Sequence, residues 1–119
     1  MLEKDGVTTI TDPVTRDVAG AVTAALHRRF GHRLQDVYLF GSRAHGCHQA
    51  DSDLDIAVVL RGATQALSIV DRELLDVTYP IELDHGVHIQ AWALPAGELN
   101  GNGFRARLAT TIRKEGIRL

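Results

Sequence analysis

Cysteine is nearly missing from this chain: Cys47 stands alone, so no internal disulfide can staple the fold, which suits a reducing compartment. Long apolar runs are missing too. Although 45% of the 119 residues are hydrophobic, none of the runs approaches the roughly 20 residues of a membrane span. The opening stretch MLEKDGVTTITD has no apolar signal-peptide core, and a cytoplasmic protein with no membrane contact is the expectation. A charge excess is absent as well. Thirteen Lys and Arg against fifteen Asp and Glu leave a net charge of −2, which argues against a protein whose main business is gripping DNA or RNA by its phosphates. Repeats, linkers and low-complexity segments are not seen either. One domain covering 1 to 119, with its core from about 12 to 114 and room for a single modest interior, is expected.

The charge that is present is unevenly placed. Arg105, Arg107, Arg113, Lys114 and Arg118 against Glu115 give residues 105 to 119 a net of +4, which leaves −6 on residues 1 to 104. Such an end can be a partner-binding surface, an RNA contact, or simply a last helix with cations favoured near its C-terminus.

Helices and strands alternate along the chain. Asp12-Pro13 is a helix start, with Asp as cap and Pro at the first position, and Val14, Val18, Val22, Ala25 and Arg29 follow at helical spacing up to a stop at Gly31. A strand is expected over about Gln35 to Phe40, a short helix over Ser42 to Gly46, and a second strand over Leu54 to Leu60. A long helix from about Thr64 carries Leu67, Val70, Leu74 and Val77, with Ile69 and Leu75 widening its apolar face. Pro80 predicts a kink or break in it. Val87 to Leu94 reads as a third strand, Gly97 to Gly103 as a loop, and Phe104 to Lys114 as a last amphipathic helix. Two strands joined through a helix imply an α/β sandwich, a short mixed sheet with helices mainly on one side.

The chemistry concentrates in residues 39 to 58, LFGSRAHGCHQADSDLDIAV. A strand ending at Gly41 and a helix opening at Ser42 leave free N–H groups aimed at one point, where an anionic oxygen can sit. Ten residues on, Asp53 and Asp55 alternate with Leu54, so on a strand both carboxylates face one side. Their Cα atoms then lie roughly 7 Å apart, from about 3.3 Å of rise per residue. Paired hard oxygen ligands suit Mg²⁺ or Mn²⁺, the ions that also bind nucleotide phosphates. The other candidates carry less. His45 and His48 flank Cys47 without the partner pair a zinc site needs, Cys47 reads as a small semi-buried filler, and Trp92 and Tyr38 read as core.

GSRAHG followed by DSDLD resembles the G-S-x-A-x-G and D-x-D signature of the polymerase-β nucleotidyltransferase superfamily. Within it the chain looks like the minimal nucleotidyltransferases, small prokaryotic domains of which many are encoded beside a HEPN-domain partner as the antitoxin of a toxin-antitoxin pair. The likeness runs from about Val14 to the C-terminus. It implies the polymerase-β-like fold, Gly41 and Ser42 holding the triphosphate of an NTP such as ATP, Arg43 touching a phosphate, and Asp53 and Asp55 as catalytic metal ligands.

At one position the chain departs from that pattern. A third carboxylate is expected on the next strand, where this chain reads Val87-His88-Ile89-Gln90. His88 or Gln90 stands in the acid's place, and Glu82 and Asp84 lie just before the strand as substitutes by another route. Loss of this acid should hurt transfer more than nucleotide binding. Three readings follow: a Mg²⁺-dependent enzyme moving AMP from ATP to a hydroxyl of a HEPN-type toxin, a catalytically weakened domain that neutralises such a toxin by binding it, and a small-molecule nucleotidyltransferase.

Overall fold

The computed structural model describes residues 10–62, 66–101, 103 and 105–119. Asp12 caps helix α1 (Pro13–Phe30) by accepting from the Thr15 amide at 2.9 Å and the Thr15 hydroxyl at 2.7 Å, with Pro13 in the first turn. Gly31, at φ 56°, ends the helix and returns its amide to the His27 carbonyl. Val18, Val22, Leu26 and Phe30 recur every four residues and line the buried side of α1.

A 3₁₀ turn leads into β1 (Leu34–Phe40), which is followed by the single-turn helix α2 (Ser42–His45) and by β2 (Leu54–Leu60). Helix α3 (Leu67–His85) then crosses over to β3 (Ile89–Pro95), and helix α4 (Ala106–Glu115) precedes the short β4 (Ile117–Arg118). Among the described residues the sheet has the order β3-β2-β1-β4. β1 runs antiparallel to β2 and β4, while β2 and β3 are parallel, as a helical crossover requires. The mixed sheet is the one expected from sequence.

The strand period of two assigns each residue to a face. Leu54, Ile56, Val58 and Leu60 join Val37, Leu39 and Ile89 in a core closed by α1 and by Val70, Leu74 and Val77 of α3. On the other face Ala57, Val59 and Leu94 meet Ala109 and Ile112 of α4. The two long helices thus share one side, and a short amphipathic one covers part of the other. Glu73 ties α3 to the end of α1, its Oε2 accepting from Arg29 at 2.9 Å and Arg33 at 2.8 Å. Partial burial pushes the Glu73 carboxyl up, but the hydrogen bonds from Arg33 and Arg29 outweigh it and hold the group below its ordinary range.

Several expectations need correction. α3 continues through Pro80 without a break; Asp76 and Pro80 both face solvent, so the carbonyl that loses its N–H partner stands on the wet side of the helix. Ile69 and Leu75 do not widen the buried face but are exposed. β3 begins at Ile89, after Gly86 ends α3 in the left-handed region at φ 70°. β4 had no sequence signal, since two residues carry no period. Thr64 and Phe104, the expected helix starts, lie outside the described residues, as does most of the stretch read for a signal core. No helix among the described residues is long and apolar enough to cross a membrane.

Leu74 is 1% exposed at the centre of the larger core. Leu74→Ala should cost about 2–5 kcal/mol of unfolding free energy in a guanidinium titration.

Candidate functional site

Phe40, the last residue of β1, pairs with Asp55 of β2, so the chain that turns at Gly41 passes directly over that carboxylate. Gly41 has φ 80° and ψ −162°, a conformation that side chains rarely tolerate. Space forbids one as well. A Cβ at Gly41 would run into Asp55 Oδ2 and stand 3.2 Å from its Cγ. After the turn, the Ala44 and His45 amides fold back on the Gly41 carbonyl at 3.0 and 3.3 Å, and Gly46 closes the helical turn at φ 74°. The start of α2, with Ser42 as its first residue, receives no side-chain cap.

Asp53 precedes β2 and Asp55 is its second residue. Leu54 and Ile56 are fully buried on the α1 and α3 side, which turns both carboxylates to the opposite face. Partial burial raises the Asp55 pKa, the neighbouring Asp53 charge raises it further, and His88 offsets part of the effect. Two acids forced together in a partly desolvated spot relieve their repulsion by binding a cation. Among the described residues no group of three His, Cys, Asp or Glu forms a metal cage. Two carboxylates completed by phosphate oxygens and water are nevertheless the way Mg²⁺ is commonly held, so the donor set fits such an ion.

The two residues that stand where the resemblance expects a third acid lie beside the aspartates. Gln90 is the register partner of Asp55 and reaches Asp53 Oδ2 from its Nε2 at 3.5 Å. His88, just before the strand, lies on the same side, with its Nε2 3.3 Å from the Gln90 amide nitrogen. Glu82 reaches the same corner: its Oε1 lies 2.9 Å from His88 Nδ1 and accepts from the Ile89 amide at 2.8 Å. Asp84 is exposed at the end of α3.

Gly41, Asp53 and Asp55 are therefore brought together, with Ser42 next along the turn, but Arg43 is not. Its side chain is only 2% exposed and spends four hydrogen bonds inside the protein. Nε donates to the Ser52 carbonyl at 3.0 Å and Nη2 to the Ala50 carbonyl at 3.2 Å. Nη1 donates to Thr15 Oγ1 at 2.8 Å and Asp12 Oδ2 at 3.4 Å. The expected phosphate contact is replaced by a clamp that binds the loop before Asp53 to the N-terminus of α1. Asp12, held below its ordinary pKa mainly by the Thr15 hydroxyl and amide and further by His48 and Arg43, supplies the anionic end.

Other side chains also differ from expectation. Cys47 is exposed, and Trp92 is 42% exposed with Arg105 stacked 5.7 Å from its ring. His45 pairs with Glu115 at 2.9 Å. From sequence Glu82 is only a substitute acid; in the fold its carboxylate meets His88. The signal was the carboxylate one helical turn before Gly86, which the αL turn swings back toward the strand.

One consequence can be measured. Because the folded-state pKa of Asp55 is raised, protonated Asp55 favours the fold and that contribution is lost as pH rises through the folded value. Asp55→Asn should therefore raise the melting temperature at neutral pH, with the gain vanishing below the ordinary carboxyl value of 3.8; no gain at pH 7 would contradict the proposed crowding.

A polymerase-β nucleotidyltransferase family model matches residues 27–91, more than half of the chain and all of the turn, the aspartate pair and α3. Among solved structures, a toxin-antitoxin crystallised with AMP-PNP is 22% identical at TM-score 0.61, over 83% of this chain and 69% of that one. A mutant of the toxin-antitoxin MntA-HpeT is 23% identical at TM-score 0.59, over 85% and 70%. A candidate nucleotidyltransferase from Sulfolobus solfataricus is 21% identical at TM-score 0.56, over 84% and 83%. At these identities the likeness is one of fold. No curated protein matches.

Proposed function

The chain belongs to the polymerase-β nucleotidyltransferase family, and from that membership we propose that it is a Mg²⁺-dependent enzyme that transfers AMP from ATP to a hydroxyl of a partner protein, as the antitoxin of a toxin-antitoxin pair. The observation that carries the reading is the close approach of the Gly41 turn to Asp55, which sets the start of α2 directly against a carboxylate pair. Gly41 and Ser42 would hold the triphosphate, and Asp53 and Asp55 would hold Mg²⁺ or Mn²⁺. The ion, when bound, would supply charge neutralisation on the phosphates and the leaving group. The acceptor oxygen bonds to the α-phosphorus, the bond from that phosphorus to the β-phosphate oxygen breaks, and pyrophosphate departs with the electron pair.

ATP is supported by a neighbour of the same fold that was crystallised with AMP-PNP, and a toxin partner by two neighbours that are toxin-antitoxin structures. The sequence resemblance makes that partner a HEPN-type toxin with a tyrosine as acceptor. A second reading, an antitoxin that acts by binding alone, draws on one observation: the residue opposite Asp55 is Gln90, which brings no negative charge.

Triphosphate and carboxylates repel unless cations lie between them, so ATP binding should need Mg²⁺ and both aspartates. In calorimetry the double variant Asp53→Asn, Asp55→Asn should lose Mg²⁺-dependent ATP binding while keeping its circular dichroism; unchanged binding would place the nucleotide elsewhere. Co-purification with the neighbouring gene product, followed by intact mass measurement with ATP and Mg²⁺, separates the two readings. Added AMP on the partner marks the enzyme, and an unmodified complex marks the binder.

A further inference from the structure

Where α3 ends and β3 begins, three side chains form a line that leads to the aspartate pair. Glu82 Oε1 holds His88 Nδ1 at 2.9 Å and the Ile89 amide at 2.8 Å, so one carboxylate is fixed by the helix it leaves and by the strand it meets. The turn that brings them together passes through Gly86 at φ 70°. A carboxylate on Nδ1 keeps the proton of a neutral imidazole on that nitrogen and leaves the Nε2 lone pair bare. Nε2 faces Gln90, whose amide nitrogen lies 3.3 Å from it and 3.5 Å from Asp53 Oδ2. The two hydrogens of that amide suit the two acceptors, which agrees with the same tautomer. The exposures also differ in a useful way. The His88 side chain is 55% exposed and Glu82 only 23%, an accessible ring on a sheltered carboxylate.

β3 has no acid to take a proton from the acceptor, yet a basic nitrogen stands one hydrogen-bond step from Asp53. We infer that Glu82 and His88 form the proton-accepting pair of this site, with His88 as catalytic residue and Glu82 as positioning residue. The inference rests on the transferase reading above. The acceptor hydroxyl displaces the long Gln90 contact at Nε2, and its proton passes to that nitrogen as its oxygen bonds to the α-phosphorus. The electron pair of the broken bond leaves with pyrophosphate. Glu82 holds the resulting imidazolium until the proton passes to water. The two duties of a third acid, gripping a metal and taking a proton, are here separated, and His88 performs the second.

The test uses the full chain with three readouts. Ring-nitrogen NMR without nucleotide should show His88 protonated at Nδ1 and bare at Nε2. Calorimetry should show ATP·Mg²⁺ affinity unchanged in His88→Gln. Single-turnover AMP transfer from labelled ATP to the co-purified partner should fall about 10²- to 10⁴-fold in His88→Gln, less in Glu82→Gln, and recover in part in His88→Asp, which restores a base. Transfer at the wild-type rate in His88→Gln, a proton on Nε2, or a wild-type chain that binds ATP·Mg²⁺ and transfers nothing would each overturn the inference while leaving the nucleotide site standing. Absence of Mg²⁺-dependent ATP binding in the wild type would instead remove the transferase reading, and the base with it.

Discussion

The site depends on one close approach, the backbone of Gly41 against the carboxylate of Asp55. Antiparallel pairing of β1 with β2 sets Phe40 opposite Asp55, so the next residue of the turn must pass over an acidic side chain. Only a residue without Cβ can do so, and only one at ease with φ 80° can start α2 from there. The glycine therefore serves the turn and the acid at once. Asp55 in turn sits where burial and Asp53 both disfavour its charge. That arrangement costs the fold something, a form of local strain common at functional sites.

Rigid supports hold this approach in place from both sides. Leu54 and Ile56 anchor β2 in the larger core, which fixes the direction of the two aspartates between and beside them. Arg43 gathers the loop that leads into Asp53, joining the Ala50 and Ser52 carbonyls to Thr15 and Asp12 at the start of α1. A buried cation bonded to carbonyls and a carboxylate loses much when any partner is removed, so the clamp resists movement of the loop. Helix capping and site geometry are thus linked through one side chain. Asp12 caps α1 and receives Arg43 with the same oxygen.

Much of this was legible in the sequence because the signals were local. Asp12-Pro13 and Gly31 bound α1 as expected, and the alternation around Leu54 and Ile56 put the aspartates on one face. What was not legible depended on distant partners. Arg43 beside a phosphate turn reads as a phosphate ligand until Thr15 and the Ser52 carbonyl are seen to enclose it. Trp92 looks like core until its strand proves to be the sheet edge, with Arg105 on its ring. Pro80 looks like a break until the helix side it occupies proves to face water. Glu82 and His88 are six residues apart and pair only because Gly86 turns the chain back.

The central claim is that the Gly41 turn and the two aspartates form one nucleotide and metal site. Paramagnetic broadening by Mn²⁺ in the presence of ATP, read on the backbone amides of the whole chain, tests it most directly. Broadening is expected to be strongest at Gly41, Ser42, Asp53 and Asp55, to reach Gln90, and to weaken along β2 toward Leu60. Broadening centred on His45, His48 and Asp12, or none at all with ATP present, would contradict the claim.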